Sequence, residues 1–174
     1  YGEDRSIINL QRQLLCQQTG PGGWPDWGWS GLIGSAPTLN PDSDWNFQAQ
    51  AYLQSRRRND KPWGWKDPRS TLLLEHWLRL EPGLRVLGIY RTPWEVVDAL
   101  QRISPPVFLK HPGWGLQIWQ QYNQALLNFA EQHPERCILV NGGALSDTPE
   151  ALPTILMKRW NWPVPNAAQA TSQA

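Results

Sequence analysis

Three cations in this chain stand where a helix is about to begin. Lys66 and Arg69 flank Asp67-Pro68 in the segment WGWKDPRSTLLLEHWLRL, and Arg91 directly precedes Thr92-Pro93 in LRVLGIYRTPWEVVDAL. In the first segment Asp67 is suited to cap a helix, with Pro68 at its first position. In the second, Thr92 caps, Pro93 follows and Glu95 closes a capping box. Helix N-termini present unpaired N–H groups and a partial positive charge, so cations beside them make two adjacent candidate anion sites. The ligand chemistry that fits is a phosphate or a sulfate.

The elements that must position these residues follow from periodicity. Ile7, Ile8, Leu10, Leu14 and Leu15 recur at helical spacing from about Asp4 to Gln17, which predicts a helix packing one face. Gly, Pro and Trp crowd the stretch between Thr19 and Asp44 and predict a long irregular loop or lid. A helix is expected over Trp45 to Arg57, ended by Asn59-Asp60-Lys61-Pro62, and then a short strand carrying Trp63 to Lys66. The run Val86-Leu87-Gly88-Ile89 reads as a strand buried on both faces of a parallel sheet, followed by a helix with Val96, Val97, Leu100 and Ile103. Ser104 to Pro112 reads as a Pro-punctuated loop, and a longer helix with Trp119, Tyr122, Leu126 and Phe129 on one stripe comes next. Cys137 to Val140 is a third strand, and Pro149 to Trp160 a closing helix that Pro153 delays or kinks. Strands alternating with helices argue for an open parallel α/β sheet, in which ligands bind outside the carboxyl ends of the strands. Lys66 and Arg91 are both expected at that edge.

Composition bounds the partner. A chain of 174 residues, 40% hydrophobic, supports one core, so a single domain over 1–164 with a polar, flexible tail at 165–174 is expected. The formal charge of +1 provides no global field to recruit nucleic acid or an anionic membrane, so anion binding must be local and the partner small. Cys16 and Cys137 have neither disulfide-framework nor metal-ligand spacing, and no metal is expected. They read as ordinary thiols in a reducing, cytoplasmic setting, and no apolar run is long enough to span a bilayer. Oligomeric state is not readable.

The two segments, in this order and at this separation, resemble the PAPS-dependent sulfotransferase superfamily, whose donor is 3′-phosphoadenosine 5′-phosphosulfate (PAPS). The resemblance runs from Glu3 to Val164 and is closest to bacterial-type members with a WGWKDPR segment and a later R-x-P-x-x-V helix. It implies a P-loop NTPase-like open parallel sheet flanked by helices. It also implies that Arg91 binds the donor's 3′-phosphate and that Lys66 neutralises charge building on the bridging oxygen. Asp67 then serves as N-cap and Arg69 as an orienting ion-pair former on the donor side. The acceptor is implied to be a small molecule or glycan with a hydroxyl or amine.

Departures from the family pattern shape the expectation. A Ser commonly follows the phosphate-binding Arg by eight residues as a second ligand; this chain has Ala99 there. Small-molecule members place a base two residues after the Lys, where this chain has Pro68, so a base must come from elsewhere; His111 is the one histidine worth testing. The family's N-terminal phosphosulfate loop is not in the sequence, since GPGGW at 20–24 lacks the basic residue and hydroxyl. With Tyr1 in place of an initiator Met, the expectation is an N-terminally truncated domain, inactive as an isolated fragment. Two rivals stand: a noncatalytic binding module of the same fold, and a nucleotide-dependent kinase. Each residue also has a plain structural role open to it. Lys66 can simply open a helix, Arg91 can be a surface ion pair, and Arg56-Arg57-Arg58 can be a solvated helix end. Trp77, Trp94 and Trp119 are expected as core or loop anchors, whereas Trp24, Trp27 and Trp29 could line an acceptor pocket.

Overall fold

A computed structural model of the chain describes residues 4–19, 39–57, 63–103 and 105–162. They divide into two compact units, one of Tyr1–Val86 with Thr92–Ile138, the other of Leu87–Arg91 with Leu139–Ala174. The structure is mixed but mostly helical, and its described strands form one two-stranded parallel sheet. The loop with Trp24, Trp27 and Trp29, most of the predicted lid, Arg58 and the tail at 165–174 lie outside the described residues.

In the first unit, α1 (Arg5–Thr19) starts where the Asp4 carboxylate accepts the Ser6 N–H at 3.0 Å. Ile7, Leu10, Leu14 and Leu15 are buried, as the periodicity predicts. Helix α2 (Ser43–Arg56) is capped by Asp42, which accepts the Trp45 N–H at 2.7 Å, and turns Trp45, Ala49 and Leu53 inward at i, i+4 and i+8. The buried Trp45 indole donates to the Leu10 carbonyl of α1 at 2.8 Å, so a large side chain is buried without orphaning its polar atom. Asp4 also accepts from the Tyr52 hydroxyl and pairs with Arg56, while Arg57 pairs with Glu81. Arg56 and Arg57 therefore act as the structural helix end of the plainer reading.

Trp63 to Lys66 is not a strand. The segment has no regular secondary structure and pairs with no neighbouring strand among the described residues, and side-chain packing holds it instead. Trp63 and Trp65, two apart in sequence, enter the same aromatic cluster. There they stack on each other at 5.7 Å, meet Tyr52 edge-on, and Trp65 reaches Trp77 at 5.1 Å. Pro68–Leu73 is a 3₁₀ helix, and only then does α3 (Leu74–Leu80) begin, with Trp77 fully buried.

Helix α4 (Pro93–Ile103) opens with Glu95 accepting the Thr92 N–H at 2.9 Å, the reciprocal half of the predicted capping box. Its apolar stripe is shorter than expected: Leu100 is buried and Val96 packs beside it, but Ile103 is 68% exposed and Trp94 70% exposed. Trp94 is thus no core anchor, because it precedes the stripe by two residues and points off it. The predicted loop at Ser104 to Pro112 contains a short helix, α5 (Pro105–Lys110). Two prolines at its start lose no hydrogen bond there, and fully buried Phe108 pins it. Helix α6 (Trp114–Gln132) buries Ile118, Leu126 and Phe129, with Trp119 and Tyr122 half-buried. A Cβ on Gly115 would meet Val97 at 3.3 Å, so its bare backbone lets α6 approach α4 closely.

Strand β1 (Val86–Tyr90) is not buried on both faces: Gly88 is buried, but Ile89 is 53% exposed. With one neighbouring strand among the described residues, β2 (Cys137–Asn141), it belongs there to a far smaller sheet than a doubly covered strand needs. In the second unit α7 (Gly142–Asp147) is capped by Asn141, which accepts the Ala144 N–H at 3.0 Å. Helix α8 (Ala151–Trp160) starts two residues later than expected. Pro153 then falls in its first turn, where a missing N–H costs nothing, and no kink is needed. Left-handed Asn161 (φ 51°) closes the helix.

Candidate functional site

The K-D-P-R turn is built around one carboxylate. The Asp67 side chain has no solvent exposure, and its Oδ1 accepts the Arg69 backbone N–H at 3.1 Å and the Arg69 Nη1 at 2.7 Å. Its Oδ2 accepts Gln11 Nε2 at 2.6 Å, and the Gln11 Oε1 accepts the Trp77 indole N–H at 3.3 Å. The predicted cap is therefore present and serves a 3₁₀ start, while the same carboxylate fixes the Arg69 guanidinium. Ser70 adds a hydroxyl that accepts the Trp65 indole N–H at 2.8 Å, tying the turn to the Trp63–Trp65 pair. Lys66 is on the exposed side of the turn, next to buried Asp67. The carboxylate is buried and fixed while Lys66 beside it is exposed, so the turn can present a cation to an anion from solvent.

Arg91 belongs to the second unit, where it follows β1 directly and is exposed. Its aliphatic stem lies over the backbone of Gly142: a Cβ there would fall 2.9 Å from Arg91 Cγ and 3.4 Å from Ile89 Cγ2. Gly142 opens α7, and any side chain at this position must displace the Arg91 stem. Gly142→Ala is accordingly expected to leave the chain folded but to displace the Arg91 side chain, measured as a shift of the Arg91 Nε–H resonance while amides of α6 keep theirs. Lys66 and Arg69 belong to the first unit.

Gln11, which supports the turn in the first unit, and Gly142, which supports the Arg91 stem in the second, are not among the candidates named from the sequence. Gln11 sits at i+4 from Ile7 and i−3 from Leu14, on the buried stripe of α1, and is 0% exposed. A polar residue at an inward register position was the available signal. Gly142 is part of a Gly-Gly pair directly after a strand, a composition that marks close backbone approach.

The titratable groups separate into structural and available ones. His76 Nε2 lies 2.9 Å from the Leu39 carbonyl and so carries the proton, which leaves Nδ1 to accept from the Arg79 guanidinium. Burial, with Arg79 assisting, holds the His76 pKa below its usual 6.5 despite the Leu39 carbonyl and Glu75. The unfolded chain then binds a proton that the folded state refuses. Stability contributed by neutral His76 is full above about pH 6.5 and is lost as pH falls toward the lowered folded value. Urea denaturation at about pH 7.5 and about pH 5.5 should show a smaller pH dependence for His76→Gln than for the native chain. Burial, then Asp4, pushes the Tyr52 hydroxyl up to about 12, and burial pushes the Cys137 thiol up to about 11, so both are poor nucleophiles or bases at neutral pH. His111 is exposed and stacks on Trp114, with ring centroids 3.8 Å apart.

Compared with family models, with curated proteins and with solved structures, the chain matches none of them. Among the described residues no group of three or more His, Cys, Asp or Glu side chains is gathered as a metal site, and no helix is long and apolar enough to cross a membrane.

Proposed function

We propose that this chain is a PAPS-dependent sulfotransferase domain of P-loop NTPase-like α/β fold, transferring a sulfuryl group to a hydroxyl or amine of a small-molecule or glycan acceptor in a cytoplasmic setting. The observation that carries the reading is the K-D-P-R turn, in which Asp67 caps the helix start and orients Arg69 while Lys66 stands at the exposed rim. The sequential placement of Arg91 after a strand and before a capped helix supports it.

In this reading Arg91 grips the donor's 3′-phosphate, where a planar guanidinium can offer two parallel donors to one phosphate. Arg69, held in orientation by Asp67, contributes positive charge on the donor side. Lys66 acts as a compact point charge on the bridging oxygen that takes up electron density as the S–O bond breaks. Sulfuryl transfer resembles phosphoryl transfer in needing little covalent help from the protein, so positioning and fixed charge supply most of the rate.

The test is the affinity of the complete protein for adenosine 3′,5′-bisphosphate, the desulfonated donor product. Arg91→Ala is expected to weaken it by about tenfold to a hundredfold, the loss of a charge-assisted hydrogen-bonding group. An unchanged affinity overturns the assignment of Arg91. The kinase reading predicts instead that ATP competes for the same site with comparable affinity. Binding of neither nucleotide favours the noncatalytic module, for which Ala99 in place of a second phosphate ligand speaks.

A further inference from the structure

Gln11 is fully buried, on a different helix from the K-D-P-R turn, and fifty-six residues from Asp67 in sequence, yet its amide donates to that carboxylate at 2.6 Å. The amide can face only one way. The Trp77 indole is a donor and must meet the Gln11 oxygen; the Asp67 carboxylate is an acceptor and must meet the nitrogen. Trp77 is itself fully buried and packed on Trp45 and Trp65, so it cannot turn aside. The chain Trp77 to Gln11 to Asp67 to Arg69 is thus a directional hydrogen-bond relay running from the core to the turn. Each member fixes the rotamer of the next.

We propose that Gln11 is a positioning residue for the anion-binding turn: by holding Asp67 Oδ2 it leaves Oδ1 to set the Arg69 backbone and guanidinium, and with them the aim of the adjacent Lys66. The assignment of that turn to a sulfate- or phosphate-bearing ligand rests on the function proposed above; the relay itself does not. A residue whose only role was to fill space would be better served by Leu or Met on the buried stripe, since an amide there must be satisfied on both sides.

Gln11→Glu tests this with nearly unchanged shape. It sets a second carboxyl against Asp67 at hydrogen-bond distance, where two negative charges cannot both persist, so the pair binds a proton at a raised pKa. While protonated, the introduced carboxyl can donate to Asp67 Oδ2 and restore the relay; once deprotonated it repels Asp67. Two quantities are measured as variant-to-native ratios at about pH 5.5 and about pH 8. One is the hydrogen-exchange protection of the Arg69 backbone N–H, and the other the affinity of the complete protein for adenosine 3′,5′-bisphosphate. Both ratios are expected near one at the lower pH and reduced by about tenfold or more at the higher.

A protection ratio that stays at one at both pH values overturns the inference, whatever the binding does. A protection ratio that follows pH while native protein binds no bisphosphate sustains the relay and sinks the donor-site reading instead. Affinity unchanged while protection falls overturns the positioning role. If Gln11→Glu unfolds at the higher pH, Gln11→Met substitutes for it: this variant should lose Arg69 N–H protection at both pH values while amides of α6 stay protected, and equal loss in both places contradicts the proposal.

Discussion

Asp67→Ala is expected to destabilise the protein by about 3–5 kcal/mol, the cost of removing one partner of a buried charge pair and leaving the other uncompensated. The Asp67 side chain is wholly buried and Arg69 only 18% exposed, so water cannot readily replace what the carboxylate supplied. Gln11 Nε2 and the Arg69 N–H lose their acceptor in the same step. Asp67→Asn keeps the shape but not the logic. Its oxygen can still serve Arg69, which turns its NH₂ toward Gln11 Nε2, donor against donor. Gln11 cannot flip, because Trp77 needs its oxygen. A loss of about 1–3 kcal/mol is expected for Asn, less than for Ala but well above a surface substitution. Urea denaturation of the three proteins gives the ranking; a cost below about 1 kcal/mol for Ala would contradict the account of the turn.

Lys66→Met should behave in the opposite way. Lys66 is exposed, so the fold is expected to survive, and Met retains most of the apolar stem. In the proposed sulfuryl transfer, what disappears is a charge whose value lies in the transition state, where the bridging oxygen gains electron density. The expected loss is about a hundredfold to a thousandfold in kcat for sulfuryl transfer, with little change in affinity for the bisphosphate product. Single-turnover transfer from labelled donor in the complete protein measures it. A matching fall in affinity with kcat preserved would make Lys66 a binding residue instead.

Much of the local structure was legible because one face of each long helix carries a simple pattern. The stripe of α1 and that of α6 appear at the expected registers, Asp67 caps as its spacing indicates, and Glu95 closes its half of the capping box on the Thr92 N–H. What failed did so for identifiable reasons. Trp63 to Lys66 has the alternation of a strand, but strands are made by partners, and here indole packing replaces a ladder. Val86 to Tyr90 is apolar like a doubly covered strand, yet apolar content does not reveal how many neighbours a strand has, and Ile89 stays half-exposed. Prolines at 105 and 106 signal a loop or a first helical turn equally well; buried Phe108 decides between them, and burial is not visible in the residues themselves. Gln11 shows in the sequence only as a polar residue at an inward register position, and its partners do not show at all. Its role depends on Asp67 and Trp77, which are distant in sequence and meet only through folding.

The candidate residues divide similarly. Lys66, Arg69 and Arg91 could be named from residue type and position, because a cation beside a cap is a local feature. The supports carry only a generic signal that does not say what they hold. Asp67 holds Arg69 only because Gln11 occupies its other oxygen, and Arg91 lies as it does only because position 142 has no side chain. Function in this reading depends on rigid supports placed by tertiary packing beneath locally encoded charges.

The most direct measurement is an equilibrium titration of the complete protein with adenosine 3′,5′-bisphosphate, with adenosine 5′-monophosphate and ATP as controls. The account predicts binding that requires the 3′-phosphate and is weakened by Arg91→Ala. Equal binding of all three nucleotides, or of none, would contradict it.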